Sequence, residues 1–496
     1  MGLDIDRTTF DPEDFTAFQS KLENNLSALK KLLTQPGFGQ GKRSLGAELE
    51  MYIIDDSGHP LCANQEILDL ARDPLLTLEL NRYNLEYNLV PYALDDQPFL
   101  RTEQDILRQL KHLDSLAQQL GGRIAIVGIL PTLRQVDFGA HSMTDRGRYH
   151  ALVQQLIQRR GSTFKVHING AHPIHLEMAD VTLEGANTSF QIHYRVDPKV
   201  YADTYNALQL ATPLVLALAA NSPTLFGHSL WHETRIPLFK QSIDIRTTDR
   251  YHWHPPPRVN FGNGWLRRGC FELFSESVRA YAPILPLCCE EDALSVLNNH
   301  GTPKLHELRL HQSSVWLWNR PVYDDADCGH VRIEMRALPA GPTPLDMVSN
   351  AALLIGLAEG LRENINQLLP GLPFHLAEYN FYRAAQHGLN AKLVWPNCNQ
   401  NGCEQQPLFQ ILENLLPLAH RGLANIGISS EERDRYLGVI EQRLSSGQTG
   451  AVWQQRTLTR LQEKHARHQS LHLMLEQLVA NSHSNQPVGK WGITTA

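Results

Sequence analysis

The sequence predicts an α+β fold in which a mostly antiparallel sheet carries helices on its outer face. Two observations predict it. Several long stretches repeat apolar residues at helical spacing, and several short stretches between them alternate strictly between polar and apolar residues. Strict alternation indicates strands with one buried face, which is typical of antiparallel sheets, because parallel strands buried on both faces are continuously apolar. Strands scattered between helices indicate the α+β class.

The predicted elements alternate along the whole chain. In chain order they are a helix over 12–34; a strand over 46–55, GAELEMYIID, whose following turn DDSGHP predicts a hairpin; a strand or helix end and then a strand within 75–91; a helix over about 102–120; a buried strand in GGRIAIVGILP; strands in TFKVHINGAHPIHLEM and NTSFQIHYRVD; a helix over about 198–220; a strand in VRIEMRALP; and a long amphipathic helix in TPLDMVSNAALLIGLAEGLRENINQLL. The last hundred residues have a mostly helical pattern.

The domain organisation predicted from this order is simple. We expect an N-terminal helix over 1–40, a single catalytic domain over 41–480, and a loose polar tail over 481–496. The catalytic domain ends in a mostly helical portion over about 345–480. No internal repeat or low-complexity linker divides the chain.

Composition and charge exclude several classes of protein. Of 496 residues, 42% are hydrophobic and 20% charged, and the net charge of −7 comes without a basic tract, so nucleic acid is not an expected partner. The most apolar run, ATPLVLALAANSP, is shorter than the roughly 20 residues of a membrane-spanning helix, so we expect a buried helix and no membrane partner. Seven irregularly spaced cysteines and the absence of an export signal predict a cytoplasmic protein with reduced thiols.

Four predicted strands place charged or amide side chains on one face. Successive side chains of a strand point to opposite faces, so residues two apart share a face. The sets that share a face are Glu48 and Glu50; Glu86 and Asn88; Gln191, His193 and Arg195; and Arg332, Glu334 and Arg336. Lysine is absent from all four sets.

These faces have two interpretations. An antiparallel sheet with one solvated face produces the same alternation. Carboxylates set beside arginines favour a site instead, because neighbouring carboxylates repel each other unless a cation compensates, and Mg²⁺ binds carboxylates together with substrate phosphates. Arginine forks bind phosphate and carboxylate groups. We therefore predict metal–nucleotide chemistry on one face of the sheet, in which metal ions and arginines hold the phosphates, since no Walker A motif is present.

Several stretches resemble the motifs of one enzyme family, in the same order. They are GAELEMYIID; LELNRYNLEYN; NTSFQIHYRVD; LAANSPTLFG with Glu233-Thr234-Arg235 after it; VWLWNRPVY followed by VRIEMRALPAGPTPLD; AEYNFYRAAQHGLNAKL; and SSGQTGAVWQQR. Over about residues 44–457, the chain thereby resembles the glutamate–cysteine ligases and related ATP-dependent carboxylate–amine ligases. The resemblance implies a fold like that of glutamine synthetase and the guanidino kinases, with a curved antiparallel sheet that forms a funnel and helices outside it.

The resemblance also implies a reaction and its substrates. A small-molecule carboxylate, expected to be the γ-carboxylate of glutamate, accepts the γ-phosphoryl group of ATP. An amine or amino acid then attacks the acyl phosphate and forms an amide, which for glutamate is a γ-glutamyl amide. This chain departs from the pattern of many relatives, which have His-x-His where it has SFQIH. The loops that form the amine pocket do not match recognisably, so cysteine is not implied as the acceptor. The resemblance leaves the acceptor and the oligomeric state open.

Site residues are carried over by motif. The implied ligands of Mg²⁺, with Mn²⁺ as the alternative ion, are Glu48, Glu50, Glu79, Glu86 and Glu334. The implied nucleotide contacts are Gln191, His193, Arg320 and Arg336, and the implied catalytic residues are Arg336 and Arg235. Two alternatives stay open: a phosphotransferase of the same fold, and a catalytically inactive nucleotide-binding relative.

Overall fold

A computed structural model of the protein describes residues 7–246, 255–396 and 403–493. Its strands are β1 Ser44–Asp55, β2 Leu76–Leu78, β3 Asn84–Ala93, β4 Gly122–Ala125, β5 Phe164–Ile168, β6 Ile174–Met178, β7 Phe190–Arg195, β8 Thr224–Leu225, β9 His228–Ser229, β10 Val259–Asn260, β11 Trp316–Leu317, β12 Asn319–Asp324, β13 His330–Met335, β14 Lys392–Pro396 and β15 Cys403–Pro407.

Helices account for most of the remaining described chain. They are α1 Pro12–Leu32, α2 Asn64–Ala71, α3 Pro98–Gln119, α4 Gly147–Arg160, α5 Tyr201–Ala219, α6 Arg235–Ser242, α7 Phe271–Ala280, α8 Ala293–Asn298, α9 His306–Gln312, α10 Pro344–Arg362, α11 Ile365–Leu368, α12 Phe374–His387, α13 Leu408–Asn425, α14 Ser430–Ser446, α15 Gly450–Leu461 and α16 Arg467–His483. Among these helices, none combines the length and the apolarity that crossing a bilayer requires.

The main sheet confirms the predicted α+β class. Its seven strands run in the order β12-β13-β7-β1-β3-β2, with β4 paired to the end of β1, and every pairing is antiparallel. Strand β1 is 12 residues long and pairs with three other strands, so it is a central strand of the sheet. Leu49, Met51 and Ile53 are buried on one of its faces, which leaves Glu48 and Glu50 on the other.

Helices pack on the face of the sheet that carries the apolar side chains. From β7, the Tyr194 hydroxyl reaches Glu359 Oε1 of α10 at 2.8 Å, and from α5 the Tyr205 hydroxyl donates to the carbonyl of Asn319 on β12 at 3.0 Å. Because side chains alternate along β7, His193 and Tyr194 lie on opposite faces. The helices therefore lie behind the sheet, and the polar face is left for a site.

Helix α10 differs from its prediction as an amphipathic helix. All but its last residue are buried, because α5, α13 and α14 pack around it. Its contact with α13 is close: a β-carbon at Gly422 would lie 2.0 Å from the carbonyl oxygen of Gly356, so only glycine permits this crossing. Tertiary packing has thus replaced the solvated face that the sequence pattern predicts.

Three local predictions differ from the structure. The turn after β1 does bring the chain back antiparallel, but the pairing is limited to one bridge, Ile54 to Pro60, before the chain enters α2. In GGRIAIVGILP only Gly122–Ala125 is a strand; the residues after it are buried in irregular conformation. The tail, predicted to be loose, is anchored at two points: Val488 is buried, and Trp491 is 6% exposed and lies edge-on against Trp453 at 5.0 Å.

A buried ion pair between α14 and α10 gives the first testable prediction. Arg443 Nη2 lies 2.7 Å from Asp346 Oδ1, and the two side chains are 1% and 0% exposed. Arg443→Met removes the cation and leaves a buried carboxylate without its partner, so we expect a loss of about 3–5 kcal/mol of unfolding free energy, measured by urea denaturation.

The matched control is Arg460→Met on α15. Arg460 also pairs with a carboxylate, Glu463, but both side chains are about half exposed, and solvent screens their attraction. We expect little change in the unfolding free energy. Equal losses for the two variants would contradict the importance assigned to the buried pair.

Candidate active site

Two groups of three side chains converge on the polar face of the sheet. We define the first trio as Glu48, His193 and Glu334 and the second trio as Glu50, Glu79 and Glu86. In each trio one ligand atom per residue lies within 4.8 Å of the other two. All five predicted metal-ligand carboxylates, together with His193, therefore fall into these two trios.

Strand register builds the first trio. Where β13 pairs with β7, Glu334 is opposite His193. Where β7 pairs with β1, Gln191, two residues before His193, is opposite Glu48. His193 Nε2 lies 3.0 Å from Glu48 Oε1 and 3.9 Å from Glu334 Oε1, yet it has no aligned hydrogen bond among the described residues. A ring nitrogen enclosed by two carboxylates and left without a hydrogen bond is an arrangement that suits a metal ligand.

The second trio forms where β1 pairs with its other neighbour, β3. Glu50 is directly opposite Glu86 of β3, and Glu79 comes from the loop after β2. Thr77 on β2 donates its hydroxyl to Glu86 at 3.1 Å, and Gln191 Nε2 donates to Glu50 at 2.8 Å. No Lys or Arg of the described residues forms an ion pair with any member of this trio. Three carboxylates consequently face one another without a paired cation.

Arginines are concentrated on the first trio. Arg320 contacts Glu334 through Nε and also donates from Nη2 to Oε1 at 2.9 Å. Arg336 donates from Nη1 to the same Oε1 at 2.7 Å and contacts the Gln191 amide oxygen. Gln191 thus links Arg336 to Glu50, and so joins the two trios through one side-chain amide.

The two trios differ in their charge. Burial alone would raise the pKa of Glu334, but the guanidinium groups of Arg320 and Arg336 outweigh it and hold that pKa well below its usual range. In the second trio, burial and the neighbouring carboxylates raise the pKa of Glu79 well above its usual range and that of Glu86 to about 8. The first trio therefore keeps a permanent negative charge, whereas the second holds protons near neutral pH.

Arg235, predicted as catalytic, is a buried residue that bonds to no member of either trio. It is 2% exposed, its Nε donates to Glu233 at 2.8 Å, and its Nη2 donates to the carbonyl of Ala337 at 2.6 Å. Its charge still acts on Glu50. Burial raises the pKa of Glu50, and the charges of Arg336 and Arg235 partly offset that rise. The structure thus brings Arg235 to the site as a neighbour of Glu50, with its guanidinium already bonded to protein groups.

Three site residues were missed by sequence reasoning: Arg148, Tyr149 and Glu184. Arg148 and Tyr149 begin α4, where the Tyr149 hydroxyl donates to the carbonyl of Leu78 at 2.6 Å and Arg148 Nη2 reaches Ser313 Oγ at 2.9 Å. Burial lowers the pKa of Arg148, with Arg320 and Glu79 among the charges acting on it. Glu184 lies in a 3-10 turn, Thr182–Ala186. None of the three occupies a strand, so no alternation could have identified them.

A cavity of about 880 Å³ lies elsewhere on the molecule. It is bounded by the turn after β1 and the start of α16, with Asp56, Phe226 and Arg467 among its lining residues. No member of either trio lines it. The trios are the candidate active site, because convergent titratable groups with displaced pKa values indicate chemistry more directly than the size of a cavity does.

The donor atoms fit divalent metal ions. The second trio offers only carboxylate oxygens, the ligands that Mg²⁺ prefers, and the first adds an imidazole nitrogen, which Mn²⁺ accepts readily. The unbonded Nε2 of His193 and the unpaired carboxylates of the second trio are groups that a cation would satisfy.

Comparison with known proteins supports the same class. The family model of glutamate–cysteine ligase family 2 matches residues 44–474. A protein of Thermobifida fusca named "Putative glutamate–cysteine ligase 2" is 23% identical over 397 residues, covering 77% of this chain and 81% of the relative. One of Frankia alni, "Putative glutamate–cysteine ligase 2-1", is 26% identical over 322 residues, covering 64% and 66%.

A solved structure shares the fold. The glutamate–cysteine ligase of Francisella tularensis, determined in complex with AMP, superposes with a TM-score of 0.50 at 12% identity and covers 90% of each chain. Together with the family match, the curved antiparallel sheet and its acidic face define an enzyme of the carboxylate–amine ligase class. Within that class, the chain belongs to glutamate–cysteine ligase family 2.

The raised pKa values of the second trio predict that metal binding releases protons. At pH 7, Glu86, with a pKa of about 8, holds a proton that a metal ion must displace, so Mg²⁺ or Mn²⁺ should release about one proton or more per protein at pH 7 and fewer at pH 9. Calorimetric titration in two buffers of different ionisation enthalpy measures this number. Glu86→Gln should reduce it; equal release at both pH values would contradict the prediction.

The same shift predicts how metal-free stability depends on pH. The folded-state pKa of Glu86 lies above its unfolded value of about 4.5, so the folded state binds the proton more tightly. The stability of the metal-free protein should therefore fall as pH rises from about 5 to about 8, and the increase in Tm caused by Mg²⁺ should be larger at pH 8.5 than at pH 6. A Mg²⁺ effect that shrinks with rising pH would count against this assignment.

Proposed function

We propose that the protein is an ATP- and Mg²⁺-dependent ligase that joins the side-chain carboxylate of glutamate, or of a similar acid, to an amine through an acyl phosphate. The observation that carries this proposal is the pair of acidic trios side by side on one sheet face, with Arg320 and Arg336 at the first trio. Family membership supports the carboxylate and the amine, and the AMP complex of the Francisella tularensis enzyme supports the nucleotide.

The proposed reaction has two balanced steps. A carboxylate oxygen of the acid attacks the γ-phosphorus of ATP, the bond to the bridging oxygen breaks, and ADP leaves. The amine nitrogen then attacks the acyl carbon, inorganic phosphate leaves, and the nitrogen loses a proton as the amide forms. Divalent ions held by the trios would neutralise charge on the phosphoryl oxygens.

Arg336 is the residue best placed to stabilise the transferring phosphoryl group. Among the described residues, its side chain donates only through Nη1, to Glu334 and Gln191, so the rest of the guanidinium fork is available to a ligand. Arg148 forms no ion pair with a described carboxylate, and it is a second candidate for phosphate binding. Fixed donors of this kind lower the barrier where charge develops, because they need no reorganisation during the reaction.

Product analysis is the direct test of the reaction. The protein is incubated with Mg-ATP, glutamate and pools of amines and amino acids, and ADP, free phosphate and amide are measured. A ligase releases one phosphate for each ADP and each amide. The phosphotransferase alternative predicts ADP with a stable phosphorylated product and no free phosphate, and a catalytically inactive relative would bind Mg-ATP without forming ADP.

Charge-neutral variants of β1 give the matching prediction. Glu48→Gln and Glu50→Gln keep the size of each side chain but remove one carboxylate from each trio. We expect each variant to lose roughly 10²–10³-fold or more in kcat, measured by ADP release, because charge developing in the transition state would lack compensation. The fold should persist, since Leu49, Met51 and Ile53 anchor β1 from its other face.

The control for these variants is Glu177→Gln. Glu177 is an exposed carboxylate on β6, outside the main sheet, and Lys165 is its ion-pair partner. Its activity should equal that of the wild type. Wild-type activity in either β1 variant would contradict the proposed role of the trios.

A further inference from the structure

The cavity between the turn after β1 and the start of α16 has a basic lining. Its volume of about 880 Å³ lies in the range of sites that hold small organic molecules. The charged and titratable side chains that line it are Asp56, His59, Arg134, Arg467, His468 and His472. Two arginines and three histidines beside one carboxylate contrast with the net charge of −7 of the whole chain. The lining therefore favours an anion.

Arg467 is the cation best placed to bind that anion. Its Nε donates to the carbonyl of Gly227, and its Nη2 donates to Ser229 Oγ at 2.9 Å. It forms no ion pair with any carboxylate of the described residues, whereas Arg134 pairs with Asp137 at 3.0 Å. The two bonds thus fix the Arg467 guanidinium at the wall of the cavity and leave its charge uncompensated.

The first turn of α16 adds backbone donors at the same place. Helix α16 spans Arg467–His483, and no side chain of the described residues caps its N-terminus. The first N–H groups of a helix have no partner within the helix, and with the helix dipole they favour a negative charge. Arg467, His468 and Gln469 of this turn all line the cavity, so these donors lie next to the guanidinium.

The histidine rings of the cavity have no partner within the described chain. The imidazoles of His59, His468 and His472 form no hydrogen bond there, and the Nδ1 atoms of His59 and His472 are buried. His472 fits because residue 58 is glycine: a β-carbon at Gly58 would lie 3.2 Å from its Nδ1. Buried polar groups are nearly always bonded in native proteins, so these rings are groups that a ligand would satisfy.

Phe226 supplies an aromatic wall at a backbone position that does not favour it. It begins the two-residue turn between β8 and β9, since Leu225 pairs with His228, and φ is +49° at Phe226 and +76° at Gly227. Hairpin turns with positive φ at both central residues favour Asn or Gly at the first, because a bulky side chain is strained there. The ring packs against Phe138, with centroids 5.5 Å apart, and lines the cavity. Strained residues of this kind concentrate at ligand sites.

We propose that the cavity binds a small organic anion. Its carboxylate or phosphate group would lie at Arg467 and the start of α16, and its apolar body would lie against Phe226, Leu133 and Leu471, which also line the cavity. No member of either trio lines it, so this is a second site of the chain. The charge-assisted hydrogen bonds of a guanidinium make the anionic group essential, and the apolar wall selects anions that carry an apolar body.

The experiment uses probes that carry both features or only one of them. Phenyl phosphate and benzoate combine a ring with an anionic group, whereas inorganic phosphate and benzyl alcohol each lack one of the two. Calorimetry with the whole chain should give a Kd of about 1 mM or lower for at least one of the first two probes. The other two should bind about tenfold more weakly or worse. The tighter of phenyl phosphate and benzoate shows which anionic group the site prefers.

Two variants test the residues that define the site. Arg467→Gln removes the cation and should weaken binding about tenfold or more. Phe226→Asn introduces a residue that this turn favours and removes the aromatic surface, so the fold should persist while binding weakens roughly threefold or more. Thermal unfolding shows that each variant is folded, and Phe226→Asn decides the question if Arg467→Gln is not.

Arg460→Met is the matched control. Arg460 is a half-exposed arginine that pairs with Glu463 and does not line the cavity, so its replacement should leave Kd unchanged. Arg336→Met, at the first trio, should also leave it unchanged. Loss of binding in Arg336→Met would place the probes at the trios and overturn the proposal.

Three further results would overturn it. They are no binding of phenyl phosphate or benzoate at about 10 mM, equal affinity for benzoate and benzyl alcohol, and an unchanged Kd in both Arg467→Gln and Phe226→Asn. The measurements need neither ATP nor turnover, so their outcome is independent of the ligase assay.

Discussion

Repulsion between carboxylates is the constraint on which the site depends. The register of β1 with β3 sets Glu50 directly opposite Glu86, so two carboxylates face each other across the pair of strands. Like charges directly opposite each other destabilise a sheet. The sheet tolerates them because its other face is anchored by apolar side chains and by helices, including the contact from Tyr194 to Glu359. Packing on one face thus maintains unfavourable charge on the other.

The protein handles this repulsion differently in the two trios. In the first, Arg320 and Arg336 compensate Glu334 permanently, and His193 is available to Glu48. In the second, described arginines form no such pairs, and protons take their place on Glu79 and Glu86. Protons can be displaced by a ligand, whereas a guanidinium on a neighbouring strand cannot. The second trio is consequently the part of the site whose charge depends on what is bound.

The sequence made one half of this site predictable. Period-two alternation is a local property, so it placed Glu48 with Glu50, Gln191 with His193, and Glu334 with Arg336 on single faces, and the ordered motifs added Glu79. Pairing between strands is not local: that Glu50 lies opposite Glu86, or that Gln191 bridges Glu50 to Arg336, follows only from register. Arg148 and Glu184 come from a helix start and a turn, where no periodic signal exists. The packed tail likewise depends on a distant partner, Trp453.

The difference between the trios also bears on Gln191. Its amide accepts from Arg336 and donates to Glu50, so its orientation is fixed by a cation on one side and a carboxylate on the other. A glutamate at this position could accept from Arg336 but could not donate to Glu50, and it would add a further negative charge to the second trio. A neutral side chain with both a donor and an acceptor is therefore required between the two trios. Gln191 thus separates the first trio, which stays charged, from the second trio, which exchanges protons for ligands, and it adds no charge to either.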